Sequence, residues 1–427
     1  MQIEVGKKLP FHNDIKKIHN RWKFWETSVK VDEDYVTGKD AKAKPIIKRF
    51  ECEELDNYKQ RLERTSPRNY ISNIVNQYVG SVFLNEPERD ESIPDVNNID
   101  GRGKSLSTIM QSNLKNAMIY GIAPIIFESS SQGTQSIAQA RSEGGNSYRV
   151  SSASPWSLVN WTIVDGYLLE ALISFVDEAG NNFCRLYDST FVTDVFFDNA
   201  QKVTSIGEPI PHGFSDIPVV LQSLNIINDS FVQPLAQIQM NINNILSLLG
   251  SEQYSQTFTR WVISGLEGVS DMTAEERRNW LLSWGSNDLI ILPSAVNVNR
   301  LGADITQAES LRKSIENDTN ELNKTAGLVE ASVSSDASGE ARKLAKSQFK
   351  TMASLMSASC EDAENYVIKL IGELTGGSYE MTAYDDSFES PDYTNEITQL
   401  RDILSLEVGD DIKSKAIRSF EQLFFLN

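Results

Sequence analysis

The string Gly101-Arg102-Gly103-Lys104-Ser105 comes nearest to chemistry in this chain, because a phosphate-cradling loop reads G-x-x-x-x-G-K-[ST] and runs into a helix. Asn98 stands where the first glycine belongs. The preceding ESIPDVNNID is acidic and polar instead of a buried strand, so the backbone nest that holds a phosphate is not encoded. The segment reads as a solvated loop leading into a helix. His12 and His19 lie in an N-terminal arm and His212 beside a proline turn, which reads as surface or turn placement and leaves little material for metal ligation or acid–base work. The carboxylate runs Asp32-Glu33-Asp34, Glu51 to Glu54 and Asp385-Asp386 lack the apolar surroundings that tune an acid. No serine sits in a G-x-S-x-G elbow, and Cys52, Cys184 and Cys360 are too few and too scattered for a disulfide framework or a zinc ribbon. No catalytic, cofactor-binding or metal site is expected, and the chain is not expected to be an enzyme.

The elements that remain must therefore carry a function of shape. The chain has 427 residues, 40% of them hydrophobic and 23% charged, an ordinary globular composition with enough apolar mass for two or three cores. Its 59 acidic against 40 basic residues leave a net charge of −19, which excludes a protein whose whole surface grips nucleic acid. No apolar leader and no window of membrane-spanning length is visible. An aromatic-bearing arm (1–49) shows no sustained period. Helical spacing then appears at Ile71, Ile74, Val75, Tyr78, Val79 and Val82, and again from Ser107 to Gly121, where the glycine suits a left-handed cap. A strand follows over 124–127, then a polar Gly- and Ser-rich excursion over 129–147. Residues 148–220 read as an antiparallel meander, giving an α+β first domain.

Phe231, Leu235, Ile238, Ile242, Ile245 and Leu249 repeat at a 4-3-4-3-4 spacing, a narrow apolar seam on a long helix. Gln237, Gln239, Asn241, Asn243 and Asn244 make its other face polar and nearly uncharged. A second long helix is expected from Ile305 to Leu328. Between the two sits a small insertion whose helix opens on a capping box, Thr273 to Glu276, between strands at 261–264, 289–292 and 296–301. VEASVSSDASG breaks the pattern, and an uninterrupted helix runs on from Glu340 to Ile371. The region after Gly377 is acidic. Narrow seams on long helices suit packing against copies of themselves, and a ring closes such a heterologous contact without a free end.

The order of these elements resembles the portal proteins of tailed double-stranded DNA bacteriophages. The strings that carry the likeness are YKQRL at 58–62, VGSVFLNEP at 79–87, AMIYGIAPIIFE at 117–128, PWSLVNW at 155–161 and PHGFSDIPVV at 211–220, then WVISG at 261–265, LIILPSAVNVNRLG at 289–302 and SGEARKLAKSQF at 338–349. Together they cover about residues 50–375. The resemblance implies a portal-like α+β fold: a wing with antiparallel strands (50–228), stem helices (229–256 and 305–327) flanking a small α/β clip (257–304), a tunnel loop (328–339), a long wing helix (340–376) and an acidic C-terminal region or short crown (377–427). It implies a ring of about twelve copies at one capsid vertex of a virion assembled in the host cytoplasm, without a membrane. Its partners would be double-stranded DNA passing without sequence specificity, the major capsid protein or scaffold, the terminase large subunit and a head–tail adaptor. Val329, Glu330, Ser332, Ser334, Ser335, Asp336 and Ser338 would face the DNA, the seam from Phe231 to Leu249 would assemble the stem, and Thr273, Glu276, Arg277, Arg278 and Trp280 would dock the adaptor or motor. The competing readings are another ring-forming tail or baseplate protein, which lacks the insertion between paired helices, and a nucleotide-dependent packaging enzyme, which needs the loop that Asn98 breaks.

Overall fold

The computed structural model describes residues 1–30, 47–51, 53–129, 148–177, 179–224, 230–257, 260–264, 273–276, 297–301, 305–328, 339–385 and 388. Its first element corrects the reading of the arm, for Ile15–Lys30 is a helix, α1. Ile15, Trp22, Trp25 and Val29 are buried and Ile18 packs against the same core. That is a 3-4-3-4 stripe, hidden in the sequence because three lysines and an arginine stand among the positions between. The Trp22 indole donates to the carbonyl of Tyr120 over 2.7 Å, which pins α1 to the wing.

Helices α2 (Leu55–Arg64), α3 (Tyr70–Val82) and α4 (Leu106–Tyr120) follow. Asn69 caps α3 by accepting from the Ser72 amide, and Ser105 caps α4 by accepting from the Thr108 amide. Gly121 ends α4 with φ +80 and returns its amide to the Ala117 carbonyl, as the glycine at that place leads one to expect. The strands in chain order are β1 (Ala123–Ser129), β2 (Tyr148–Ser152), β3 (Leu158–Val164), β4 (Tyr167–Val176), β5 (Asn182–Tyr187), β6 (Phe191–Phe197), β7 (Val203–Ile206), β8 (Ile210–Pro211) and β9 (Val219–Gln222).

These strands form two antiparallel sheets and not one meander. β1 is buried along most of its length and takes a partner on each side, β2 and β9, so the first and last strands of the expected meander leave it. The rest run β3-β4-β5-β6-β7, with β8 also on β6. Alternation divides this sheet: Ala171, Ile173 and Tyr187 join the main core, while Leu172, Cys184 and Val195 face a smaller core closed by Leu9, Met1, Ile3 and Phe11 of the arm.

The long helices are α5 (Gln233–Thr257), α6 (Ile305–Thr325) and α7 (Gly339–Thr375). Between α5 and α6, β10 (Arg260–Ser264) pairs antiparallel with β11 (Asn297–Leu301). The 37 residues of α7 span about 55 Å. Its Ala353, Met356, Cys360, Ala363, Val367, Leu370 and Ile371 are buried, and the helix lies over α3, α4 and β9. The polar excursion after Ser129, the strand expected at 289–292 and the region beyond Phe388 fall outside the described residues.

Candidate functional site

α5 and α6 lie side by side and antiparallel. Asn241 donates to Asp318 over 2.6 Å, and further along Leu248, Ser251 and Glu252 face Gln307, Ser310 and Leu311 across an open groove of about 530 Å³. This is the helix pair the sequence assigns to the stem. Its seam is used differently from the expectation at two positions: Leu235 and Ile242 are completely buried within the chain's own core, so a neighbouring copy has no access to them. Phe231 and Ile238 pack partly against the same core, and Ile245 and Leu249 are half-buried.

Part of the polar face of α5 also turns inward, while Gln237 and Asn241 stay exposed. Gln239, Asn243 and Ser247, one turn apart, are buried. Gln239 accepts from the Tyr70 amide (2.9 Å) and donates to the Arg68 carbonyl (2.7 Å), and Asn243 accepts from the Arg68 amide (3.1 Å). Ser247 accepts from Arg61 (2.7 Å), whose guanidinium also grips both oxygens of Glu53 and the Lys48 carbonyl. The hydrogen bond from Arg61 holds the Glu53 carboxyl below its ordinary pKa, against the opposing effect of burial. These side chains satisfy the backbone between α2 and α3 where no regular element does so, and thereby fix α5 against α2 and α3. The i, i+4, i+8 spacing of Gln239, Asn243 and Ser247 was the available signal.

The end of α6 is set with similar care. Gly327 takes φ +75, its amide bonds to the Lys324 carbonyl and the Leu328 amide to the Asn323 carbonyl, a Schellman stop. The Tyr78 hydroxyl donates to the Ala326 carbonyl (2.6 Å), and its ring stacks on Phe349 of α7 and meets Phe231 edge-on. Burial pushes the Tyr78 pKa well up. A Cβ at position 327 would lie 3.1 Å from that hydroxyl. The chain thus leaves α6 at one fixed point, where the loop read as the tunnel loop begins. Val329, Glu330, Ser332, Ser334, Ser335, Asp336 and Ser338 themselves lie outside the described residues.

α7 is locked by a buried pair. Glu364, wholly inaccessible, accepts from Arg89 at both oxygens, from Tyr384 (2.6 Å) and from Thr382 (3.1 Å), while Arg89 also donates to Ser107 (2.7 Å). Burial first, then the Glu364 charge, drives the Tyr384 pKa upward. Three segments meet at this carboxylate and Arg89 ties in a fourth through Ser107, which makes it a structural joint. Between α5 and α6, Thr273 and Glu276 form the expected reciprocal cap: the Glu276 carboxylate accepts from the Thr273 amide and hydroxyl (2.8 Å each), and the Thr273 hydroxyl accepts from the Glu276 amide (3.3 Å). Arg277, Arg278 and Trp280 lie outside the described residues.

The loop that resembled a phosphate cradle is closed on itself. Asp100 accepts from the amides of Arg102 (2.8 Å) and Lys104 (2.9 Å), and Asn98 accepts from that of Gly103 (2.5 Å), so the N–H groups a phosphate would need are already engaged. Two histidines differ from their surface reading. His12 stacks on Trp161 and His19 packs between Trp22 and Trp156, and burial lowers the pKa of both. His212 stays in its turn, against the Asp188 carbonyl and the Phe214 amide. Cys184 and Cys360 are free and buried, with thiol pKa values pushed to about 11 and about 12 by desolvation. Among the described residues no group of His, Cys, Asp and Glu could hold a metal, and no helix is long and apolar enough to cross a membrane.

What the geometry builds is a set of joints that hold long helices in fixed relation to a two-sheet body, the anatomy of a structural assembly protein. Residues 15–399 match the family described as phage portal protein, SPP1 Gp6-like, and the chain belongs to that family. The match takes in α1 and so extends beyond the residues on which the resemblance was first seen. Three solved structures are similar to the chain at 9% identity. They are a virion of a native gene transfer agent particle (TM-score 0.46, 81% of this chain and 88% of that one), a neck of the empty particle computed with C6 symmetry (0.46, 79% and 86%) and a neck of the native particle computed with C12 symmetry (0.43, 81% and 88%). No curated protein sequence matches.

Proposed function

We propose that this chain forms a ring of about twelve copies at one capsid vertex of a virion, the conduit for double-stranded DNA during packaging and ejection, and the surface on which a packaging motor and then a head–tail adaptor dock. The observation that carries this reading is the family match over residues 15–399. The antiparallel pair α5/α6, rooted on the wing by Gln239 and Asn243, supports it as the stem, and the part between the pair, with its capped helix start, supports it as the clip. The net charge of −19 per copy suits a conduit, because a wall that repels phosphates does not retain its cargo.

In this reading residues 329–338 face the duplex, with Glu330 and Asp336 as their only charges. Replacing Ser334 and Ser335 by Lys adds two cations per copy at one level of the channel, and each phosphate neutralised steepens the salt dependence of DNA retention. Particles carrying the double substitution are expected to eject DNA slowly at low salt and at the normal rate at high salt. Ejection indistinguishable from the parent at every ionic strength, with intact particles, would contradict the assignment of this loop to the channel.

A further inference from the structure

Two of the three histidines stand where the arm docks, and both are held in the geometry of a neutral ring. His19, on α1, lies against Trp22 (ring centroids 5.5 Å apart) and against Trp156 of the short turn Pro155–Ser157 (5.1 Å). Those two indoles meet edge-on, and each meets Tyr120 at the end of α4 in the same way, so His19 closes the cluster that carries α1 onto α4. Its Nε2 is shut off from solvent and has no hydrogen-bond partner among the described residues. With the single proton on Nδ1, that nitrogen brings only a lone pair into the contact. A second proton would place an N–H there with nothing to accept it, and a buried donor left unsatisfied is costly. His12, just before α1, lies flat on Trp161 of β3, with 4.2 Å between centroids and 10° between planes. Its Nδ1 accepts from the Asp14 amide (3.3 Å), which a protonated nitrogen cannot do.

The charges around the two rings give a proton little support. Lys16 and Lys23, a turn away from His19 on either side along α1, are themselves cations. Glu26 acts on Tyr120, which is pushed up to about 12 mainly by burial, while burial alone moves His19, downward. The turn Pro155–Ser157 brings no titratable group. At His12 burial also lowers the pKa, the charge of Asp14 opposes it as the smaller effect, and Arg21 shares the cleft with both.

We infer that neutral His19, with neutral His12 beside it, latches α1 onto α4 and β3, and that acidification releases this helix. Both rings are harder to protonate docked than free. Their contribution is therefore present in full above about pH 6.5, the ordinary imidazole value, and is lost as pH falls through the lower docked values. Release is confined to α1, because the amides of Gly6 and Leu9 tie the start of the chain to the carbonyls of Val203 and Gln201 without any imidazole.

The test is amide hydrogen exchange of the full chain read by mass spectrometry and corrected for the intrinsic effect of pH. Protection over residues 13–29 is expected to fall about tenfold between pH 7.5 and pH 5.5, since one proton taken up on release gives up to tenfold per pH unit. Protection over 353–371 of α7 should hold. His19→Phe keeps a ring against Trp22 and Trp156 and takes no proton, and His12→Asn keeps an acceptor for the Asp14 amide. The first should remove most of the fall and the pair should remove it. A parent whose α1 protection is the same at both values, or variants that lose it as steeply as the parent, would overturn the latch. A second reading needs no variant: exchange of the imidazole C2 hydrogen, followed for each histidine in the parent chain, should place the His19 midpoint below about 6.5. A midpoint above it would mean that the indole faces hold an imidazolium, and that acid tightens the arm instead of releasing it.

Discussion

The first and second halves of α5 are built on opposite plans. From Gln233 to about Ser247, α5 lies against α1, α2 and α3, and Leu235, Gln239, Ile242, Asn243 and Ser247 are all buried. From Leu248 onward the helix faces α6 across an open groove and keeps to α2 through Arg64, which meets Gly250 and Tyr254, and its residues there are half-buried or exposed. The first half is complete in one copy. The second is less completely buried, and on the ring reading proposed above it is the part expected to meet a neighbouring copy. The change from Gln and Asn fixed on backbone to half-covered Leu marks where the internal joint ends.

Substitutions in the joints should cost much more in a single copy than substitutions in the distal stem, and the contrast can be broken at either end. The largest effect is expected for Glu364→Ala, which leaves the Arg89 guanidinium buried without its counter-charge and should destabilise by about 3–5 kcal/mol in denaturant unfolding. Next comes Gly327→Ala, where the new Cβ meets the Tyr78 hydroxyl and the left-handed backbone is strained, expected at about 1–3 kcal/mol. Gln239→Ala should cost about 1–3 kcal/mol by orphaning the Tyr70 amide and the Arg68 carbonyl. At the other end, Gln307→Ala in the groove should alter unfolding by about 0.5 kcal/mol or less. A groove substitution as costly as the Gln239 variant would erase the distinction between the two halves.

The pH dependence sharpens the same contrast. Because Arg61 lowers the Glu53 pKa in the folded chain, the carboxylate contributes stability that is fully present above its unfolded pKa of about 4.3 and is lost as pH falls through the lower folded value. Glu53→Gln should therefore be less stable than the parent at neutral pH, and the gap should close below about pH 4. A gap that persists unchanged at pH 3 would assign the loss to packing and not to charge.

Local signals in the sequence were read well where spacing alone decides structure: the cap at Gly121, the capping box of Thr273 and Glu276, and the long uninterrupted helix α7. Partnerships across the chain were not legible. Arg89 and Glu364 stand 275 residues apart and neither has a telling neighbour. The inward polar stripe of α5 has helical spacing, yet amides at a, b or f positions look alike until the backbone they satisfy is known. The single meander became two sheets because β1, buried along most of its length, needs a partner on both sides, a demand that arises only once α4 covers it. Of the seam expected to assemble copies, Leu235 and Ile242 lie in the chain's own core, since periodicity reports that a face is buried without saying against what.

Electron microscopy of the purified full chain bears most directly on the central claim. Closed rings with an open centre, the α5/α6 pair lining the narrow part and the groove of Leu248 and Leu311 covered by an adjacent copy, are the expected result. Compact single copies at every concentration, with that groove open to solvent, would contradict it.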